Sequence, residues 1–436
     1  MSAAAGGLPR AVPLLMGARF ARAVGQGALV VGFTLYLHAL GWGPASIGAV
    51  LSAALFVAVL LTLVVGPASD RLGRRHFLLA YESVALLSAV LALCSAQPWV
   101  LGLGALLGGF GRGANGAAGP FGPLEQAWLA QDLAPADRPR VFSLNAALGF
   151  WGMALGAVLA ALPALWQREL PGALAFRPLF VLPLLGSMIG MWLIWKAPEQ
   201  GARRAEGQAQ GRAAPSAQEA AHAQPAAQAS EAGRTSRTIQ EPAPSTRREQ
   251  NRNLLRLAVA NAFNGLGIGM VAPWMAYWYA LRFGHGPASI GPALAASFGC
   301  AALGAQLARH MSRRFGLVDT VVYMRAVGLA LLLVTPLSPW FGLAAVAWAV
   351  RSAFNRGTIG VRQALVVGLT DEGRRGLAAT VNNVSVMVPR AIGPALSGLM
   401  LARGWLIAPF LAAGVFQGAY LLAYRSFFGG ISAARP

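Results

Sequence analysis

The chain has 436 residues, of which 56% are hydrophobic and only 11% are charged, and its mean hydropathy is +0.54. An ordinary soluble protein carries about 25% charged residues, so this composition excludes one large soluble domain. The formal net charge is +20, which on a soluble protein would suggest nucleic-acid binding. Here the basic residues lie mostly in short loops between apolar runs, as in membrane proteins, so we expect the lipid bilayer and no nucleic acid as a partner.

The chain divides into twelve apolar runs, many of roughly 20 residues, the length that spans a hydrocarbon core of about 30 Å. The first six are predicted at 12–39, 45–66, 76–96, 99–121, 141–163 and 176–196. The second six are predicted at 254–281, 288–310, 317–337, 340–363, 377–402 and 406–428. The sequence therefore predicts an all-α membrane protein with twelve transmembrane helices in two six-helix bundles.

Residues 197–252 differ from the rest of the chain, because they are rich in Ala, Gln, Glu, Ser, Pro and Arg and contain almost no large apolar side chains. Such a segment cannot bury enough surface to offset its chain entropy, so we expect a disordered linker between the bundles 1–196 and 253–436. Arginines are concentrated in alternate loops, which predicts that both termini and the linker are cytoplasmic. Lys196 is the only lysine, a usage typical of GC-rich bacterial genomes, and we expect the bacterial inner membrane.

An internal repeat relates the two predicted bundles. The hexapeptide Gly-Pro-Ala-Ser-Ile-Gly occurs at 43–48 and again at 286–291, an offset of 286 − 43 = 243 residues. Further matches lie at offsets of 243 or 237 residues: Phe20 with Phe263, Tyr36 with Tyr279, Gly73 with Gly316, Gln126 with Gln363, Asn145 with Asn382 and Gly156 with Gly393. Each hexapeptide opens the second helix of its half at the non-cytoplasmic side, where we expect a turn and scaffold role.

The loop between spans 2 and 3 reads Gly66-x-x-x-Asp70-Arg71-x-Gly73-Arg74-Arg75 and resembles the loop signature of the major facilitator superfamily (MFS). Twelve spans, two homologous halves and a central linker resemble that family over nearly the whole chain. The resemblance implies the MFS fold, in which two pseudo-symmetric bundles rock about a central site. It also implies gating residues that latch the cytoplasmic ends: Gly66, Asp70, Arg71, Gly73 and Arg74, with Glu125 or Asp132 as a partner for Arg74.

Two further strings bear on the kind of transport that the resemblance implies. Span 4 contains Arg112-x-x-Asn115-Gly116, which resembles the Arg-x-x-Gln-Gly motif of proton-coupled exporters, with Asn115 in place of Gln. Span 5 lacks the proline of the antiporter signature Gly-Pro-x-x-Gly-Gly, and a similar string lies in span 11, at 393–398. Efflux and antiport are therefore expectations that the motifs support only in part.

Ionisable side chains at membrane depth are costly and are functional candidates by default. Four arginines lie about half-way along their spans. The MFS resemblance implies that spans 1, 4, 7 and 10 line the central cavity, and these four spans contain no acid at their centres. Such a cavity is predicted to attract anions, although arginines of this kind also bond to helix carbonyls or pack in polar networks. The predicted substrate-binding residues are Arg22, Gln26, Arg112, Asn115, Asn264, Arg351, Asn355 and Arg390.

The prediction is a secondary active transporter of a small molecule, ion-coupled or an exchanger, with an anionic or acidic substrate favoured. One alternative is a proton-coupled exporter of neutral drugs or metabolites, and another is a non-transporting membrane sensor or assembly factor. If protons drive transport, Glu82 and Glu125 are the titratable candidates. Neither a phosphate-binding Gly-x-x-x-x-Gly-Lys-Ser/Thr string nor His-Glu-x-x-His occurs, so we expect no enzyme, cofactor or metal site, and a monomer.

Overall fold

The computed structural model describes residues 8–113, 119, 122–131, 133, 137–198, 247–369 and 374–429. This described part is helical and contains no β-strand. The all-α architecture follows from the apolar runs, because a backbone in lipid has to satisfy its hydrogen bonds within each segment.

The first half consists of eight α-helices. They are α1 (Ala11–Ala39), α2 (Pro44–Leu72), α3 (Arg74–Cys94), α4 (Pro98–Leu103), α5 (Gly122–Gln131), α6 (Arg138–Leu159), α7 (Pro163–Trp166) and α8 (Val181–Lys196). A π-helical turn, Gly104–Gly108, follows α4, and a 3-10 helix, Gly172–Phe180, precedes α8.

The described residues of the second half form eight more α-helices. They are α9 (Arg247–Val271), α10 (Met275–Phe283), α11 (Pro287–Phe315), α12 (Leu317–Leu337), α13 (Phe341–Gly357), α14 (Ile359–Gly368), α15 (Arg375–Ala402) and α16 (Ala408–Phe428). A short 3-10 turn, Ala272–Trp274, joins α9 to α10.

Nine of the described helical segments are long and apolar enough to cross a membrane, and most predicted spans match a helix closely. Span 4 differs, because α4 passes into the π-helical turn and the chain then takes positive φ angles at Gly109, Gly111 and Gly113. Helix α9 begins at Arg247, so it includes the last residues assigned to the linker. Residues 199–246, where the sequence predicts the disordered linker, lie outside the described ranges.

Each half is held together by the close approach of two helices. In the first half α1 packs on α6, and a Cβ atom at Gly156 would collide with the carbonyl of Val24. In the second half α9 packs on α15, and a Cβ at Gly393 would collide with the backbone of Gly269. Gly156 and Gly393 are repeat-related, so small residues permit the same tight crossing in both halves.

The two halves contact each other through α2 on α15 and through α6 on α11. Pro44 and Pro287 of the repeated hexapeptides are the first residues of α2 and α11, in agreement with a turn role. The hexapeptides also pack across the interface. A Cβ at Gly48 would lie 2.5 Å from the Pro394 carbonyl oxygen, and one at Gly291 would lie 2.5 Å from that of Ala157.

The apolar core is arranged differently at the two ends of the bundle. At the hexapeptide end one continuous cluster joins both halves, from Phe33 and Met153 to Trp274 and Phe298. At the opposite end each half has a cluster of its own, around Trp128 in the first half and around Tyr424 in the second. The halves are therefore closed against each other at one end and separated at the other.

Candidate functional site

A cavity of about 830 Å³ lies between the halves and reaches the end at which their cores are separate. Its innermost lining includes Ala272 and Trp348, and its outer lining includes Gln306 and Gln363. Seven arginines are among the described residues that line it: Arg19, Arg309, Arg325, Arg351, Arg356, Arg362 and Arg390. Glu125 is the single acid among the described lining residues, so the walls carry a strong excess of positive charge.

Arg351 of α13 and Arg390 of α15 form the centre of the basic wall. Their exposed fractions are only 6% and 5%. The Nε atom of each is buried without a hydrogen-bond partner, and neither guanidinium makes an ion pair with any described residue. Arg351 lies over the ring of Trp348 at 4.5 Å, a cation–π contact that leaves its hydrogen-bond donors unused.

Arg325 of α12 and Arg362 of α14 line the same wall but bond to neutral groups. Arg325 Nη1 donates to Asn264 Oδ1 at 2.9 Å, and its Nε donates to Thr358 Oγ1 at 3.2 Å. Arg362 Nη2 donates to Asn261 Oδ1 at 2.7 Å. These bonds hold both guanidiniums in place without cancelling their charge.

The first half holds three of its buried charges in one ion cluster. Arg22 of α1 bonds to Glu82 Oε1 of α3 at 2.6 Å and to Glu125 Oε2 of α5 at 3.2 Å. Asn145 of α6 donates to the other oxygen of Glu125 at 3.1 Å. Four helices therefore meet in one hydrogen-bonded ion cluster, and only Glu125 and Asn145 of this cluster line the large cavity.

This arrangement suits the binding of an anion. A recess lined by one sign of charge between low-dielectric walls concentrates ions of the opposite sign. Arginine presents a planar fork of donors that matches carboxylate and phosphate groups. Because the donors of Arg351 and Arg390 are unused by described residues, an anion entering the cavity gains bonds without breaking existing ones.

The family model described as Major Facilitator Superfamily matches residues 15–240, which is 240 − 15 + 1 = 226 of the 436 residues. The chain belongs to this superfamily. No sequence match to a curated protein was found.

Solved MFS transporter structures share the fold over nearly the whole chain. A mutant of the nucleoside transporter NupG is 13% identical, with a TM-score of 0.70, and the match covers 96% of this chain and 99% of NupG. The D-xylose–proton symporter is 13% identical, with a TM-score of 0.68 and coverage of 95% and 97%. The human organic anion transporter MFSD10 (TETRAN) is 17% identical, with a TM-score of 0.57 and coverage of 96% and 99%.

The residues assigned to the MFS gating loop are described only in part. Gly73 joins α2 to α3 at φ 88°, a left-handed angle that favours glycine, and its repeat partner Gly316 has φ 80°. Arg74 Nη1 donates to the Ala127 carbonyl at 2.8 Å, while Glu125 bonds to Arg22. The remaining predicted gating residues lie outside the described residues and side chains: Gly66, Asp70, Arg71 and Asp132.

The predicted substrate residues separate into three groups. Four of them line the large cavity together: Asn264, Arg351, Asn355 and Arg390. Arg22 and Gln26 line a different, buried pocket of about 20 Å³, which is large enough for one water molecule. Arg112 Nη2 donates to the carbonyls of Leu106 and Leu107, as in the alternative considered for such arginines, and Asn115 lies outside the described residues.

The sequence reasoning missed several arginines of the cavity, notably Arg19, Arg309, Arg325 and Arg362. Arg325 lies near the middle of the predicted span 317–337 and meets the rule that intramembrane charge is functional, so that rule would have found it. Arg309 and Arg362 lie near predicted span ends, where basic residues are ordinary topology signals. Only the packing of α11 and α14 within the folded second half brings them to the lining of one cavity.

Proposed function

We propose that this protein is a secondary active transporter that carries a small organic anion across the cytoplasmic membrane by alternating access. The observation that supports this most directly is the pair Arg351 and Arg390, buried at the cavity and without a hydrogen-bonded or ionic partner among the described residues. An uncompensated buried charge costs several kcal/mol, and an anionic substrate offsets this cost at the moment of binding.

The arrangement of the apolar core supports alternating access. The halves share one core at the hexapeptide end and hold separate cores at the other, so the cavity is accessible from one side only. The arginine-rich loops, including that of Arg74 and Arg75, lie at the open end, and the topology prediction assigns this end to the cytoplasm. The structure thus fits an inward-facing state of a carrier with cytoplasmic termini.

A neutral substrate is the weaker alternative. It would leave the charges of Arg351 and Arg390 uncompensated in the occupied cavity as well as in the empty one. The fold does not discriminate between the two, since similar structures include a D-xylose–proton symporter and an organic anion transporter. The proposal therefore rests on the charge of the cavity wall.

Coupling to protons, if it occurs, involves Glu82 and Glu125. Glu125 lines the cavity, so a proton that it takes up would weaken its ion pair with Arg22. Glu82 Oε2 is buried without a partner among the described residues, a position that can hold a proton. Exchange of one anion for another requires neither group, and both forms of energy supply fit the proposal.

The test measures binding and flux with purified full-length protein. Thermal stabilisation is recorded against carboxylates, phosphate esters, organic cations and uncharged analogues of matched size. We expect stabilisation by anions, and Arg351→Gln and Arg390→Gln should each weaken it by about tenfold or more in affinity, since a charged hydrogen bond contributes about 1.5–3 kcal/mol. Arg112→Gln is the matched control, because it removes the same charge outside the cavity lining.

Proteoliposome counterflow of the stabilising anion then separates transport from binding alone. Binding without any flux would favour a sensor or an assembly factor. Equal stabilisation by cations and uncharged analogues, or normal binding by both cavity variants, would contradict the anion proposal. A pH gradient that fails to drive uptake would remove proton coupling and leave exchange.

A further inference from the structure

The internal repeat reveals an inversion of charge between the halves. At the offset that relates Gly73 to Gly316, 325 − 82 = 243, so Glu82 corresponds to Arg325. At the offset that relates Gln126 to Gln363, 362 − 125 = 237, so Glu125 corresponds to Arg362. The two acids of the first-half ion cluster are therefore replaced by two arginines in the second half.

Among its described residues, the second half supplies no cavity-lining acid to balance this inversion. The position of Arg22 corresponds to Gly265, since 265 − 22 = 243. Between 247 and 429 the described residues contain two acids, Glu249 and Asp319, and neither lines the cavity. Where the first half completes its ion cluster internally, the second half presents two arginines whose described hydrogen-bond partners are neutral.

The same two arginines share one aromatic platform. The guanidinium of Arg325 lies 5.3 Å from the ring centre of Tyr420, and that of Arg362 lies 5.6 Å from it. The Tyr420 hydroxyl is buried without a hydrogen-bond partner in the described part of the chain. Arg325 and Arg362 both line the cavity, so two positive charges held at one ring form a recess with donors for an acidic group.

This recess belongs to the same cavity as Arg351 and Arg390, the proposed binding site of the anion. Arg325 and Arg351 lie close enough for their charges to repel each other. The same holds for Arg351 and Arg356, and for Arg356 and Arg390. All of them line the one cavity. A single carboxylate would compensate the arginines at one end of this series and leave the positive charges at the other end uncompensated.

We infer that the substrate carries at least two acidic groups, one bound at Arg351 and Arg390 and the other at Arg325 and Arg362. This inference rests on the proposed function. The cavity of about 830 Å³ is far larger than an inorganic ion needs. Phe142, Ala146 and Phe150 of α6 form an apolar part of the opposite wall, which suits the organic body between the acidic groups.

The experiment compares diacids with their monomethyl esters, which differ by one charge and little in shape. Glutarate, adipate and phthalate are each measured against the monoester by thermal stabilisation and calorimetry, at constant ionic strength. We expect the diacid to bind about tenfold more tightly than its monoester in the native protein, as one more charged hydrogen-bonded group is engaged.

Arg325→Gln and Arg362→Gln test where the second acidic group binds. Each variant should reduce the diacid-to-monoester ratio to about threefold or less, because the monoester does not use this recess. Arg309→Gln is the control, since Arg309 is an exposed charge of the same cavity and its loss should weaken both compounds alike.

The outcomes distinguish this inference from the proposed function. Equal affinity of diacid and monoester, or a ratio unchanged in both recess variants, would overturn the inference and leave an anion transporter. Inorganic phosphate added together with the monoester provides a further check. If the monoester then binds as tightly as the diacid, two separate anions occupy the basic wall, and the inference of one substrate with two acidic groups is overturned. If neither compound of any pair stabilises the protein, both conclusions fail.

Discussion

The two halves of this protein share the same close helix packing but differ in how their buried charges are compensated. Repeat-related glycines, Gly156 and Gly393, allow the same close helix crossing in each half. Yet Glu82 and Glu125 of the first half compensate Arg22, whereas Arg351 and Arg390 of the second half have no ionic partner among the described residues. In the proposed function, the anion that enters the cavity supplies the counter-charge that the described residues of the second half lack.

The largest expected effect comes from breaking the compensated cluster. Arg22→Gln removes the cation that bonds to both Glu82 and Glu125 and leaves these two buried carboxylates without it, so we expect a loss of about 3–5 kcal/mol in the free energy of unfolding. Chemical unfolding in detergent measures it. The triple variant Arg22→Gln/Glu82→Gln/Glu125→Gln serves as the control and should recover part of the loss, because it removes all three charges of the cluster. A single variant within about 1 kcal/mol of the native protein would contradict a compensated cluster.

An intermediate effect is expected at the repeated hexapeptides. Gly48→Ala and Gly291→Ala place a methyl group against a carbonyl of the opposite half, and overpacking of this kind costs about 1–3 kcal/mol. Because these contacts exist where the halves are closed, both substitutions should shift the protein towards states that are open at this end. Alkylation of Ser52→Cys, in a Cys94→Ser/Cys300→Ser background, measures the opening.

Gly43→Ala and Gly286→Ala are the matched controls for the hexapeptides. They lie in the same two strings, and an added Cβ at either has no neighbour within 4 Å. Alkylation should therefore stay at the native rate. If the two control variants are alkylated as fast as the two interface variants, the faster reaction arises from substitution near the start of α2 or α11 and not from the contact between the halves.

The smallest expected effect has the opposite sign. Arg390→Met exchanges an unpartnered buried charge for an apolar side chain of similar length, so the anion-free protein should gain about 1 kcal/mol in stability. Arg22→Met, the corresponding change in the compensated cluster, should lose stability because Glu82 and Glu125 remain without their cation. Unfolding curves recorded without added anion give the free energy of unfolding of both variants. Equal losses of stability would contradict the difference in charge compensation between the halves.

The helices were predictable because membrane thickness fixes the length of an apolar run. Helix α12 occupies the predicted residues 317–337, and α3 and α6 begin within a few residues of the prediction. Span 4 was not predictable in this way, since its apolar composition hides the π-helical turn and the positive φ angles that follow α4. Hydropathy reports the burial of a segment but not the path of its backbone.

The candidate site was predictable only in part, for a physical reason. Burial of Arg351 and Arg112 follows from their depth in the spans, but the partner of each depends on how its helix is rotated and on what lies across from it. Arg112 bonds to carbonyls of its own chain segment, and Arg351 faces the cavity. The glutamates that pair with Arg22 come from two other helices, which only the folded bundle brings together.

The uncompensated positive charge of the cavity wall also affects how the proposed carrier reorients when it is empty. If the cavity closed while empty, the positive charges of Arg351 and Arg390 would pass into a drier interior with no counter-ion, at a cost of several kcal/mol for each charge. A bound anion removes that cost, so the loaded protein reorients more easily than the empty one. For the proposed carrier, a wall of this kind would favour exchange, in which cargo is bound in both directions, over return of the empty protein.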